Sequence, residues 1–192
     1  VSFVAAWIAV ALSAAPVQTH DVGHRVAHLG AALEAVQQAP SALLSQASEY
    51  ASAMERGACA SGVLRLKVEC LMTAARKFCK GREASCPFLM DIVVSNVLAE
   101  SHFVPAERKY EIMKNHRDYR AEVAREIRRI QGGLAMDFRL RSMDAPPDQS
   151  LPARIDSYCV ATADKSNLSW QACASSLVWF IGTAEPARAG HT

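Results

Sequence analysis

The sequence predicts an all-α, disulfide-stapled bundle of about seven or eight helices around one buried central helix, residues 88–99. Three observations carry this. Apolar residues recur at helical spacing along most of the chain, and no alternating run flanked by turn residues suggests a strand. The Pro residues fall between the periodic segments rather than within them. The six cysteines are an even set with short spacings, as in a disulfide framework.

Each element follows from its own signals. Thr19 is a candidate N-cap for a first helix that Pro40 stops at Ala39, and Ser41 for a second that ends at Gly57. A third segment, 63–80, ends at Gly81. Pro87 suits the first position of a helix and opens 88–99, which is apolar nearly all round and so expected at the centre. Its β-branched residues would also suit a strand, but twelve residues without a breaker favour helix. Pro105 opens a long charged helix to Gln131, where Gly132-Gly133 is expected to end it. A short segment, 134–143, leads to the linker 144–150. Pro152 starts a helix through Ala163, and Ser166 or Asn167 caps a last one ending near Gly182. This organises the chain as a signal peptide (1–15), an N-terminal helical arm (16–57), a stapled helical domain (58–185) and a loose tail (186–192).

The compartment is read from both ends of this scheme. Residues 4–12 are a nine-residue apolar run followed by Ser13, Ala14 and Ala15. A bilayer span needs about 20 residues, so the run has the length of a signal-peptide core instead. No later run is long enough to cross a membrane. In an exported chain the cysteines would be oxidised. Their spacings, Cys59-x10-Cys70-x8-Cys79-x6-Cys86 and Cys159-x13-Cys173, contain no CxxC and no zinc grouping. Were Cys70 and Cys79 on one helix they would lie about 13 Å apart, beyond disulfide reach. Cys79–Cys86 across a turn at Gly81 and Cys159–Cys173 across a helical hairpin are the favoured pairs. Cys59–Cys70 is then left over, and requires its helix to begin after Gly62.

Composition narrows the function classes. Hydrophobic residues make up 51% and charged residues 21%, a globular balance that argues against bulk disorder. A formal net charge of +2 is too small to argue for nucleic acid. The charge is unevenly placed, however: residues 59–82 hold six Lys/Arg against one Glu, and 105–141 hold ten against six acids. A basic surface of this kind would suit an anionic polymer such as cell wall, or it is simply the solvated side of helices.

The most specific motif is Leu98-Ala-Glu-Ser-His-Phe-Val-Pro105, an apolar helix ending in Glu-Ser-x-Phe-x-Pro. It resembles the catalytic motif of the lysozyme-like lytic transglycosylases of the soluble lytic transglycosylase type. The chemistry is coherent, because a carboxyl at the mouth of an apolar helix loses hydration and stays protonated near neutrality. It can protonate a glycosidic oxygen and then act as base on the same sugar; the family's product is an intramolecular anhydro-sugar, so the resemblance implies that one carboxylate suffices. The resemblance implies a lysozyme-like fold and peptidoglycan as substrate, with no cofactor. It makes Glu100 the general acid/base and Ser101 a nearby hydrogen-bonding group. His102, Phe103 and Tyr110 would contact substrate, with Phe103 and Pro105 shaping the turn. It spans Ile92 to roughly Met113. The family's following Gly-rich stretch ending Gly-Leu-Met-Gln is replaced here by Glu107-Arg-Lys-Tyr-Glu-Ile-Met-Lys114, and its later Ala-Tyr-Asn-x-Gly signature is missing. The same residues also suit a structural corner between two helices.

Two further readings stay open. His20, His24 and His28 recur every four residues, so on a helix they share one face and could hold a divalent metal; a polar stripe has the same pattern. A non-catalytic exported protein that binds a partner or a cell-wall polymer would need only the basic helices. Trp170, Trp179 and Phe180 read as core. The kinase-like triplet His116-Arg-Asp118 lacks every companion motif, and Asn167-Leu-Ser169 is a glycosylation sequon only where the host glycosylates exported chains.

Overall fold

The computed structural model describes residues 22–104, 106–163 and 168–184, without the side chains of 100–102, 106 and 120. Among these, eight helices and no strand occur: α1 Val22–Gln38, α2 Ser41–Arg56, α3 Leu64–Phe78, α4 Cys86–Phe103, α5 Ala106–Asn115, α6 Tyr119–Ser142, α7 Leu151–Ala163 and α8 Trp170–Ala184. The predicted signal peptide, Thr19, the expected caps Ser166 and Asn167 and the tail lie outside the described residues; at the start of α8 it is the Ser169 side chain that accepts from the Ala172 N–H, at 3.2 Å. No described helix is long and apolar enough to cross a membrane.

The apolar spacing sets each helix's inward face. In α1, Leu29, Ala32, Leu33 and Val36 are buried; in α3, Val68, Leu71, Met72 and Ala75 repeat the same i, i+3, i+4, i+7 pattern. The centre is α4, where Leu89, Met90, Ile92, Val93, Val94, Val97 and Ala99 are all buried. It packs chiefly on α8, and also on α2, α3 and α1. The helix runs past the expected 88–99 at both ends. Cys86 rather than Pro87 takes its first position, and the backbone stays helical to Phe103.

Four other expectations are corrected. The helix after Pro105 does not run to Gln131; it breaks at residues 116–118, and the Asp118 side chain accepts a hydrogen bond from the Ala121 N–H at 3.2 Å, capping α6. Gly132 and Gly133 do not stop α6, because Ala135 and Phe138 beyond them are buried and draw the helix onward. The separate segment 134–143 is therefore the end of α6. Ser41 makes no cap hydrogen bond, since Pro40 holds the cap position. Finally, α1 and α2 are not an arm over their described length: α1 packs on α8, α7 and α4, and α2 on α4 and α3.

Three features lock the packing. Disulfides join Cys59–Cys70, Cys79–Cys86 and Cys159–Cys173. The first is formed with α3 beginning at Leu64, and the second encloses Gly81, whose φ of 78° suits glycine. Where α1 crosses α8, Gly182 lies so close to Val36 that a Cβ on the glycine would sit 2.7 Å from Val36 Cγ1. At the junction of α1, α7 and α8, the buried Asp156 carboxylate accepts from Arg25 Nε at 2.7 Å, Arg25 Nη2 at 3.1 Å and Trp170 Nε1 at 3.0 Å. A buried charge is tolerable when it is paired and hydrogen-bonded in this way. Three disulfides are also the chemistry of an oxidising compartment.

Candidate functional site

The motif of interest sits where α4 gives way to α5. Ala99, Phe103 and Val104 are buried with Ile112 of α5 and Ala172 of α8 in a small second core, with Val123, Ile127, Ile130 and Leu134 packed against it. This cluster fixes the corner. Phe103, expected both to shape the turn and to contact substrate, is turned inward as an anchor of the turn. The side chains of Glu100, Ser101 and His102, and all of Pro105, lie outside the described residues.

Beyond the corner, α5 presents its other face to solvent. Tyr110 is 62% exposed and Met113 51% exposed, and Tyr119 follows at the start of α6. With Glu107, Glu111, Lys114 and Asn115, Tyr110 lines an open depression whose described lining all comes from α5. The acids of this surface are largely engaged. Arg108 Nη1 lies 3.0 Å from Glu111, and Arg129 grips Glu126 through two hydrogen bonds of 2.9 and 3.0 Å. The Arg129 hydrogen bond holds the Glu126 carboxyl below its usual range. Arg125 pairs with Glu122. Lys109, Lys114, Arg117 and Arg128, by contrast, make no ion pair among the described residues. The α5–α6 surface is thus a positive one with aromatic and thioether groups set into it.

The histidine stripe is partly placed. His24 and His28 share one side of α1 with ring centroids 6.4 Å apart, and His28 lies 5.9 Å from the Phe88 ring of α4. Burial, and then the neighbouring His24, push the His28 imidazole down from its ordinary value, favouring the neutral ring. His20 lies outside the described residues. Among the described residues no group of three His, Cys, Asp or Glu side chains could hold a metal ion.

Several charged groups escaped the sequence reading. Asp91, on the inner helix α4, makes no hydrogen bond or ion pair among the described residues. Burial pushes its carboxyl up to about 6, against the opposing pull of Arg76. Its signal was an acid inside an otherwise apolar run. Asp156 gave the same signal in Ile155-Asp-Ser-Tyr-Cys159. Near the other end of α6, Tyr158 donates to Asp137 at 2.7 Å while Arg141 lies 2.9 Å from the same carboxylate. Burial, reinforced by Asp137, pushes the Tyr158 phenol up to about 12. Of the expected core aromatics, Trp170 is buried and Phe180 is 36% exposed.

Comparison with known proteins yields no matching family model, no matching curated protein and no matching solved structure.

Proposed function

We propose that this is an exported, non-catalytic helical protein that binds an anionic cell-envelope polymer, peptidoglycan foremost, through the outer surface of α5 and the start of α6. One observation carries the reading. Tyr110 stands 62% exposed in one depression with Lys114, and neither Lys114 nor the adjoining Lys109 makes an ion pair among the described residues. An exposed tyrosine offers a flat apolar face with a polar tip, suited to stacking on a sugar, and unneutralised cations attract carboxylates. The apolar run at 4–12 and the three disulfides support an oxidising destination outside the cytosol.

A second reading keeps the transglycosylase chemistry at Glu100. What favours it is the anchored corner: Phe103 and Val104 buried beneath Ile112 hold the end of α4 and the start of α5 in one fixed arrangement. A third, metal binding at His20, His24 and His28, has two of its three residues on one side of α1.

Co-sedimentation with purified peptidoglycan, run beside zymography, separates these. Binding should be retained in Glu100→Gln and weakened about tenfold in Tyr110→Ala. Clearing by wild type that vanishes in Glu100→Gln would replace the binding reading with the enzymatic one. Neither pelleting nor clearing would remove the polymer altogether. A melting temperature raised by zinc in wild type but not in His24→Ala would establish the metal site.

A further inference from the structure

We infer that the outward face of the second half of α6 is an isologous interface for a second copy of this chain. The inward side of this stretch is set by the buried Ala135 and Phe138. On the opposite side, at i, i+4 and i+7, stand Met136, Leu140 and Met143, which are 57%, 58% and 79% exposed. The end of α6 is therefore apolar both towards the core and away from it, which a helix lying on a monomer does not need.

The same outward side carries Gly132 and Gly133 one turn earlier. A Cβ at either would meet nothing within 4 Å, so the fold of one copy does not require glycine there, and helix-interior glycine costs stability. Two antiparallel copies of α6 related by a two-fold axis at Met136 give both residues a purpose. Residue 136 + n then meets residue 136 − n of the other copy. Leu140 falls opposite Gly132, with Gly133 alongside, so its outward side chain meets open space, and Met143 lies along the stem of Arg129. An isologous contact requires this self-complementarity.

Charge agrees with the same register. Arg128 falls opposite Asp144, with Asp148 further along the linker. All three are exposed and make no ion pair among the described residues. The antiparallel arrangement pairs Arg128 with Asp144 twice, whereas a parallel one would oppose Arg128 to Arg128 and Leu140 to Leu140. The contact from 129 to 143 is about 21 Å long. A single helix pair of that length buries less than the roughly 1,600 Å² of a standard interface, so association is weak and concentration-dependent.

The test places a cysteine on the symmetry axis of the full chain, whose six native cysteines are all paired. Under mild oxidation, Met136→Cys should give a disulfide-linked dimer at least about ten times faster than Leu64→Cys, an exposed control site on α3. Gly132→Leu, which fills open space and favours helix, should keep or raise the melting temperature while abolishing that cross-link. Sedimentation of wild type should show mass rising with concentration, and Leu140→Glu should remove the rise. Equal cross-linking at positions 136 and 64, or a dimer indifferent to Gly132→Leu, overturns the inference. So does a wild type that stays monomeric yet binds anionic vesicles through Leu140, which would make the strip a lipid contact.

Discussion

Asp91 and Gly182 show how much one position can weigh. The Asp91 carboxyl is pushed up to about 6 by burial, so the folded protein holds its proton more tightly than the unfolded chain does. Its stabilising influence is complete in acid and is lost as pH rises from about 4 to about 6. Asp91→Asn should therefore stabilise the protein at pH 7 by about 1–2 kcal/mol, after allowing for partial solvation, and leave it unchanged near pH 3.5. Urea titrations at the two pH values check this, and an equal effect at both would disprove it. At Gly182 a Cβ would lie 2.7 Å from Val36 Cγ1 and 2.9 Å from Val36 Cβ. Gly182→Ala should cost about 1–2 kcal/mol net, overpacking outweighing the gain in helix propensity. On a Val36→Ala background that cost should vanish, and a double-mutant cycle reads the coupling directly. Neither position could have been understood from the chain alone. An acid in an apolar run signals something, but whether it finds a hydrogen-bond partner among the described residues, as Asp156 does and Asp91 does not, depends on which helices meet there.

At the scale of elements, α6 is the instructive case. Its charged composition and helical period were plain in the sequence, but its ends were not. Two consecutive glycines ordinarily end a helix, and here the burial of Ala135 and Phe138 outweighs that preference. The true interruption, residues 116–118, contains Asp118, a good cap placed among residues of modest helix propensity. Because a Cβ at either glycine meets nothing, Gly132→Ala with Gly133→Ala should stabilise the monomer by about 1–2 kcal/mol. Chemical denaturation at low protein concentration measures this; destabilisation would mean that the backbone there departs from regular helix. The α4–α5 corner was legible as a break, since Pro105 announces it. The inward turn of Phe103 was not, because an aromatic after a helix end suits a ligand surface and a core equally.

For the molecule as a whole, the helical class, the central place of α4 and the presence of disulfides could all be read from periodicity and cysteine spacing. The arrangement of the helices could not. Contacts such as Arg25–Asp156 join residues 131 apart in sequence, and no local pattern encodes them. The disulfides close loops of 7, 11 and 14 residues, each expected to contribute about 3 kcal/mol. Together they rival the roughly 5–15 kcal/mol that holds a typical domain folded. Reduction should therefore abolish cooperative thermal unfolding near 37 °C, and circular dichroism melts with and without reductant would show it; an unchanged transition would mean that the packing suffices alone.

The locality of those bridges has a mechanical consequence. None of them reaches α1, which is fastened by the Arg25–Asp156–Trp170 junction and by its close passage over Gly182. Pulled from its N-terminal side, the molecule would shed that first helix before any disulfide came under load, uncovering the faces of α7 and α8 against which it packs.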